Sequence, residues 1–265
     1  VKVKASNRVS VLISAYNNAV SLEKTLWSLE QQSDLCFDVI IADDGSRAEM
    51  KTFIDHFSET SSLKIIHVWQ PDEGFRKSRI LNLAIQAATC DYLIFMDGDI
   101  IVANDFIAQH KALARPNAFI SGGNHINLHL TDQANITLNK SLVQSQNLLS
   151  PQWYGKRGIT IPRMWRLYFK QPTLAKIVDT LMPRPDSFLG CNSACWKRDA
   201  LAVGGFNENF TTYGYEDRNF GLRLATLGVK GIRYQCSLRY IHLDHSHPYA
   251  DNTAIAENKN KVGMA

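Results

Sequence analysis

Two carboxylates one glycine apart, Asp97 and Asp99, are set into the apolar run Asp91-Tyr92-Leu93-Ile94-Phe95-Met96-Asp97-Gly98-Asp99-Ile100-Ile101-Val102, and that placement suits a divalent cation. In an extended segment residues i and i+2 share a face, so both acids would point one way, while Gly98, lacking Cβ, lets a bulky anion approach the backbone. Mg²⁺ and Mn²⁺ take oxygen ligands and share them with substrate phosphates, so carboxylates at the mouth of a buried strand fit a metal-bridged diphosphate. Asp-Gly between apolar runs is equally the signal of a hairpin turn. Near the other end of the chain His242, His245 and His247 fall within six residues. His242 and His245 would share a face on a helical turn, and His245 and His247 on a strand; either pairing offers imidazole nitrogens to a metal. Between these groups Glu216 and Asp217 open a helical pattern. Acids in a first turn complement the helix dipole, and a general base would have the same appearance.

The elements that must position these groups follow from hydrophobic periodicity. Arg8 to Asn18 reads as a buried strand closing in a polar turn, with a helix from Ser21 to about Gln32 whose inner face is Leu22, Thr25, Leu26 and Leu29. A second strand, Phe37 to Ala42, ends in Asp43-Asp44-Gly45-Ser46, a helix-cap and turn signal in its own right, and Ala48 to Ser58 is helix-like. Leu63 to Trp69 is a third strand, and an amphipathic helix spans Lys77 to Ala88. The run holding Asp97 is then the fourth. Alternating strands and helices predict an α/β, Rossmann-like, mostly parallel sheet flanked by helices, whose ligands gather at the carboxyl ends of the strands. Tyr16-Asn17, Asp43-Asp44 and Asp97-Gly98-Asp99 all fall there. No Gly-x-Gly-x-x-Gly follows the first strand and no Gly-x-x-x-x-Gly-Lys-Ser/Thr occurs, which argues against dinucleotide oxidoreductases and phosphate-loop enzymes.

Past this point come a helix from Asp105 to about Leu113 and a strand from Ala118 to Gly123; the pattern then loosens from Asn124 to about Pro185. That middle stretch mixes Trp153, Tyr154, Trp165, Tyr168 and Phe169 with Lys156, Arg157, Arg163, Arg166 and Lys170. It reads as a partly buried helical insertion with solvated charges, as a wall of an acceptor site, or as a surface resting on anionic lipid. Apolar patterning resumes at Phe188 to Trp196, with one or two helical turns from Lys197 to Val203.

With 265 residues and 45% apolar content the chain can bury a large core, and a single domain over 1–265 is expected, with parts 1–123, 124–185 and 186–265. A net charge of +4 is too mild for a nucleic-acid binder. Five cysteines form no Cys-x-x-Cys pair, which favours a reducing compartment and hence the cytoplasm. No run approaches the roughly 18 apolar residues of a membrane span, no apolar signal core stands at the start, and the missing initiator Met suggests a trimmed chain.

Taken in order, these signals resemble the inverting glycosyltransferases of family 2, with the GT-A fold, from about Val9 to His247. Ser14-Ala15-Tyr16-Asn17 looks like that family's first nucleotide-binding strand end, without the proline that often precedes Tyr-Asn. Asp43-Asp44-Gly45-Ser46 matches its Asp-Asp-Gly-Ser segment, implying contacts to uracil and ribose, and Asp97-Gly98-Asp99 matches its Asp-x-Asp metal motif. Gln70 to Arg79 is similar to its Gly-Phe segment, where Arg76 and Arg79 would contact diphosphate or else pair with Asp72 or Glu73. Gly204-Gly205-Phe206 through Glu216-Asp217 to Leu224 is similar to the galactosyltransferase-like and chondroitin-polymerase branch. The resemblance implies Asp217 as catalytic base, Glu216 orienting the acceptor, and Mn²⁺ or Mg²⁺ held by Asp99 and His242, with His245 a competing ligand and Asp97 nearer the ribose or bound through water. It implies a UDP-sugar donor, a glycan acceptor and a C-terminal acceptor-binding region, while the basic, aromatic middle stretch points to a lipid-linked bacterial surface glycan as acceptor and, with the cytoplasmic reading, to peripheral contact with the inner membrane. A sugar-phosphate nucleotidylyltransferase would want a Gly-rich basic loop after the first strand, where Ser14 to Asn18 has none; a catalytically silent carbohydrate-binding relative would keep the fold alone.

Overall fold

The computed structural model describes residues 8–123, 125–134, 136–182, 187–245 and 251–262. The first apolar run becomes β1 (Val9–Ala15), paired in parallel with β2 (Phe37–Asp43) on one side and β4 (Tyr92–Asp97) on the other. β3 (Ile65–Trp69) extends the sheet beyond β2. Beyond β4 come β8 (Asn192–Trp196), β6 (Ala118–Ser121) and β9 (Lys230–Arg233), giving seven strands in the order β3-β2-β1-β4-β8-β6-β9. Only β8 runs against its neighbours, so the sheet is mostly parallel, as the alternating pattern predicts.

Period-two alternation sends successive residues of β1 into different cores. Val9, Val11 and Ile13 pack with α1 (Ala19–Glu30), α2 (Ala48–Thr60) and α4 (Phe106–Leu113), whereas Leu12 faces α3 (Lys77–Ala87), α9 (Lys197–Ala202) and α10 (Glu216–Thr226). Each such aliphatic side chain contributes about 1.5–3 kcal/mol by leaving water. Asn18 caps α1 by accepting the Ser21 amide, at 3.1 Å. In the second core Phe206 stacks on Phe220 with ring centres 4.2 Å apart, and α10 presses so closely that a Cβ on Gly221 would lie 2.6 Å from Phe188 Cβ. That contact fixes the start of α10, where Glu216 and Asp217 stand.

The run around Asp97 is not one strand. β4 stops at Asp97, Gly98 and Asp99 turn, and β5 (Ile100–Val102) joins a separate three-stranded sheet with β10 (Tyr240–Leu243) and β7 (Asn127–Leu128), in the order β5-β10-β7. The turn is held from both sides. Gly98 donates its amide to the Ser14 carbonyl at 3.0 Å, and the hydroxyls of Thr25 and Ser28 on α1 accept the Ile100 and Val102 amides. The two acids therefore owe their common direction to this corner, which also brings β10 and its histidine beside them.

Between residues 123 and 187 the helical insertion is built of short pieces: α5 (Leu130–Ala134), α6 (Lys140–Gln144) and α7 (Pro151–Gly155), then 3₁₀ turns and α8 (Pro172–Leu181). They close a third core on the small sheet, in which Trp153 and Tyr154 are buried and Tyr154 donates its hydroxyl to the Leu148 carbonyl at 2.8 Å. Trp165 and Tyr168 stay exposed. α11 (Asn252–Val262) lies against the loop before α10, where Asn258, fully buried, donates to the carbonyls of Thr212 and Gly214, each at 3.0 Å. All five cysteines are free thiols, and among the described residues no helix is long and apolar enough to cross a membrane.

Candidate functional site

The carboxyl ends of β1 and β4, the first turn of α3, and the β10 corner enclose a cleft of about 660 Å³, a size suited to a small-molecule ligand. Ser14, Ala15, Tyr16 and Asn17 line it, with Asp44, Asp97, Gly98, Asp99, His242 and His245. Most of the residues singled out in the sequence thus meet in one place. His247 lies outside the described residues.

At one pole Asp99 faces two imidazoles. His245 Nε2 is 2.9 Å from Asp99 Oδ2, and His242 Nε2 is 3.5 Å from Asp99 Oδ1. One ligand atom from each of the three falls within 4.8 Å of the others. Asp99 Oδ1 is buried without a hydrogen-bond partner, and two ring nitrogens converge on one carboxylate, so lone pairs point at a common spot that a cation would satisfy. Burial alone would raise the Asp99 pKa, but the hydrogen bonds and charges of the two histidines hold the carboxyl well below the usual range. A carboxylate with two imidazoles fits a first-row ion such as Mn²⁺ better than the oxygen-preferring Mg²⁺ or Ca²⁺. Behind them His125 lies with its ring centre 4.4 Å from that of His242; burial, then the His242 charge, push its pKa down to about 4, so it is a neutral ring backing the ligand.

Asp97 is engaged elsewhere. Its Oδ1 accepts the Ser14 hydroxyl and the Lys77 ammonium, each at 2.8 Å, and it stands outside the three-residue metal group. Burial opposes its ionisation, but Lys77 outweighs burial and lowers the pKa. Lys77 in turn loses solvation on burial and regains more from Asp97, Glu216 and Asp217, so it stays charged.

The other pole lies on α10. A Cβ on Gly190 would be 3.8 Å from both Asp217 Cβ and Lys77 Nζ, so the acid and the ammonium flank the same glycine. Asp217 Oδ2 accepts the Gly190 amide at 3.1 Å, and Oδ1 accepts the Arg218 amide at 2.7 Å. Burial raises the Asp217 pKa despite those bonds. Glu216 is 5% exposed, accepts the Gly214 amide at 3.1 Å, and has its pKa pushed up to about 7 by burial and by the Asp217 charge. Asp217 retains partial exposure, and neither acid is in the cleft wall itself.

Three further residues named from the sequence take structural posts. Asp43 is buried in its turn, accepting the Ser46 amide at 2.9 Å and facing His67 Nε2 at 3.0 Å; only Asp44 reaches the cleft. Asp44 itself is bound by Gln70 Nε2 and the Arg76 amide, and burial raises its pKa. Arg76 and Arg79 pair with Glu73, at 4.0 and 3.5 Å, and line no part of the cleft. Lys77, between them in sequence, reaches the position expected of them. Phe75 and Tyr213, ring centres 6.2 Å apart and edge to face, supply an aromatic wall that sequence reasoning missed, as it missed His125 and Asn127. Lys77 had a signal: a cation in the first turn of a helix opposes the dipole and needs an anion to justify it.

Comparison with known proteins agrees with this geometry. Residues 10–137 match the model described as glycosyl transferase family 2, and residues 181–246 match the one described as the N-terminal domain of galactosyltransferase. Chondroitin synthase of Escherichia coli is 29% identical over 233 residues, covering 83% of this chain but 32% of its own length, so the chain spans about a third of that relative. Among solved structures, the mannosyltransferase PcManGT from Pyrobaculum calidifontis, in complex with GDP-Man and Mn²⁺, superposes with a TM-score of 0.60 at 19% identity over 91% of this chain and 58% of its own. S. aureus TarS 1–349 in complex with UDP-GlcNAc gives 0.62 at 13% identity over 97% and 66%. Family models, relatives and fold coincide with the cleft described above: the chain carries a family 2 glycosyltransferase domain over residues 10–137 and a galactosyltransferase-like segment over 181–246, on a GT-A fold.

Proposed function

We propose that residues 1–265 act as one catalytic domain that moves a sugar from a UDP-sugar to a hydroxyl of a glycan acceptor, with inversion at the anomeric carbon. The observation that carries this reading is the line Asp99, Asp97, Lys77, Asp217: a cation-binding pole and a proton-accepting pole on either side of one buried ammonium. Asp44 and the Ser14 to Asn17 strand end would hold the nucleoside, and Lys77 would meet the diphosphate. With Mn²⁺ or Mg²⁺ held by Asp99, His242 and His245, Lewis-acid stabilisation of the departing diphosphate is supplied at that pole.

Asp217 would take the proton of the attacking hydroxyl. Its raised pKa brings it closer to a base able to act near neutrality, and its effect comes from placement as that proton becomes acidic in the transition state. Attack from the face opposite the leaving group inverts the anomeric centre, giving a β-linkage from an α-linked donor. Glu216 would brace the 212–215 loop and hold Tyr213 toward the sugar and acceptor. Likeness to chondroitin synthase supports a polysaccharide as the product; the place we assign is bacterial surface polysaccharide or lipopolysaccharide assembly, at the cytoplasmic side of the inner membrane.

The test is Mn²⁺-dependent hydrolysis across a panel of UDP-sugars with GDP-mannose as a control. Turnover of at least one UDP-sugar is expected. Turnover of GDP-mannose alone would overturn the donor assignment, and turnover of none would leave a silent carbohydrate-binding protein.

A further inference from the structure

α8 is turned inside out. Its inward stripe is Ala175 and Asp179, while Leu174, Ile177 and Leu181, spaced i, i+3 and i+7, are 48, 50 and 75% exposed. The reason is the acid. Asp179 Oδ1 accepts the Cys236 amide, and its Oδ2 accepts both the amide and the hydroxyl of Ser237, at 2.8 to 2.9 Å. Three bonds to one buried carboxylate fix the rotation of the helix, and that rotation carries the apolar stripe to the outside.

The surroundings share this character. Of the fourteen exposed large apolar side chains among the described residues, six lie between 165 and 182: the three above with Trp165, Tyr168 and Met182. Between residues 150 and 182 five basic side chains are exposed, Lys156, Arg157, Arg163, Lys170 and Lys176. The sole acid there is Asp179, spent inward. A stripe of Leu and Ile, in a stretch that also exposes Trp165 and Tyr168 and whose exposed charges are all positive, has the composition of a helix that lies in a lipid headgroup layer.

We infer that the outer face of α8, with the 3₁₀ turn before it, docks on an anionic phospholipid surface. A second copy of the chain is the poorer occupant, because a two-fold contact would set this positive patch against itself. A protein partner is the poorer occupant too, because the depression on this face, lined by Thr173, Lys176, Ile177, Thr180 and Leu181, is small at about 250 Å³, and the exposed charges of the stretch are all of one sign. The inference uses no residue of the cleft and does not depend on the donor or on catalysis. Its consequence is that the chain would work with one flank held against the membrane.

Co-sedimentation with vesicles tests it, using phosphatidylcholine alone and phosphatidylcholine mixed with phosphatidylglycerol. The protein is expected to pellet with the anionic vesicles at low salt and to be released as salt screens the charge. Leu174→Ser with Ile177→Ser and Leu181→Ser should weaken binding at least about tenfold, and Lys170→Glu with Lys176→Glu should do likewise, with melting temperatures unchanged. Absence of binding to anionic vesicles, or equal binding by the triple variant, overturns the inference. So does a dimer in sedimentation velocity that the triple variant abolishes, which would assign the face to a second copy, and so does retention on an acidic protein with no vesicle binding.

Discussion

The two poles of the cleft are built from the same chemical group and tuned in opposite directions. Asp99, with two imidazoles against it, is held ionised; Glu216 and Asp217, placed side by side at the start of α10 with backbone amides for partners, are pushed toward protonation. Burial works against charge in both places. What differs is the company: two imidazoles at one end, a second carboxylate at the other. In the proposed reaction the pole that would hold a cation and the pole that would accept a proton are linked through Lys77 and Asp97, which neutralise each other across 2.8 Å.

The contrast can be broken most severely at the metal pole. Chelation with EDTA should take transfer to background, with Mn²⁺ restoring it better than Ca²⁺, and unchanged turnover in EDTA would dissolve the distinction between the poles. Next comes the acid pole: Asp217→Asn should lower transfer by roughly 10² to 10⁴ while calorimetry still records Mn²⁺-dependent UDP binding. If UDP binding is lost as well, Asp217 belongs to the donor side. Between the poles, Lys77→Met should cost roughly 10²-fold in turnover with the fold intact, whereas Arg79→Ala, already paired to Glu73, should change little. Equal losses from the two would return the diphosphate contact to the arginine.

The smallest effect sharpens the comparison through stability. The folded carboxyl of Glu216 binds its proton more tightly than the unfolded one, so the stability it contributes is present below about pH 4.5 and lost as pH rises to about 7. Glu216→Gln, which cannot ionise, should melt close to the parent at the acid end and above it beyond neutrality, by on the order of 3 kcal/mol at full ionisation. Parallel melting curves across that range would show that Glu216 is not strained by its charge.

Much of the sheet was legible because it follows one rule. The helices expected from Ser21, Ala48 and Lys77 are found at Ala19–Glu30, Ala48–Thr60 and Lys77–Ala87, each with an apolar face long enough to set a period. The turn at Gly98 had its signal in Asp97-Gly98, but the change of sheet had none, since Ile100 to Val102 are as apolar as the strand before them and only pairing with β10 separates the two. Helices of five residues in the insertion are too short to show a period, so burial of Trp153 and Tyr154 had no local signal. In the site, residue type misled where direction decided: Arg76 and Arg79 are the stronger phosphate binders by chemistry, but helix geometry turns Lys77 inward and leaves them to Glu73.

β8 comes from beyond the insertion yet lies between β4 and β6, both of which precede it. The late segment is therefore a keystone of the early one. Severing the backbone anywhere between 123 and 187 would leave each fragment with an unfinished sheet, and the insertion is itself tied into the seam, since β7 pairs with β10 and Asp179 accepts the amides of Cys236 and Ser237. The two ends of the chain are thus interlocked, and neither half has a complete sheet without the other.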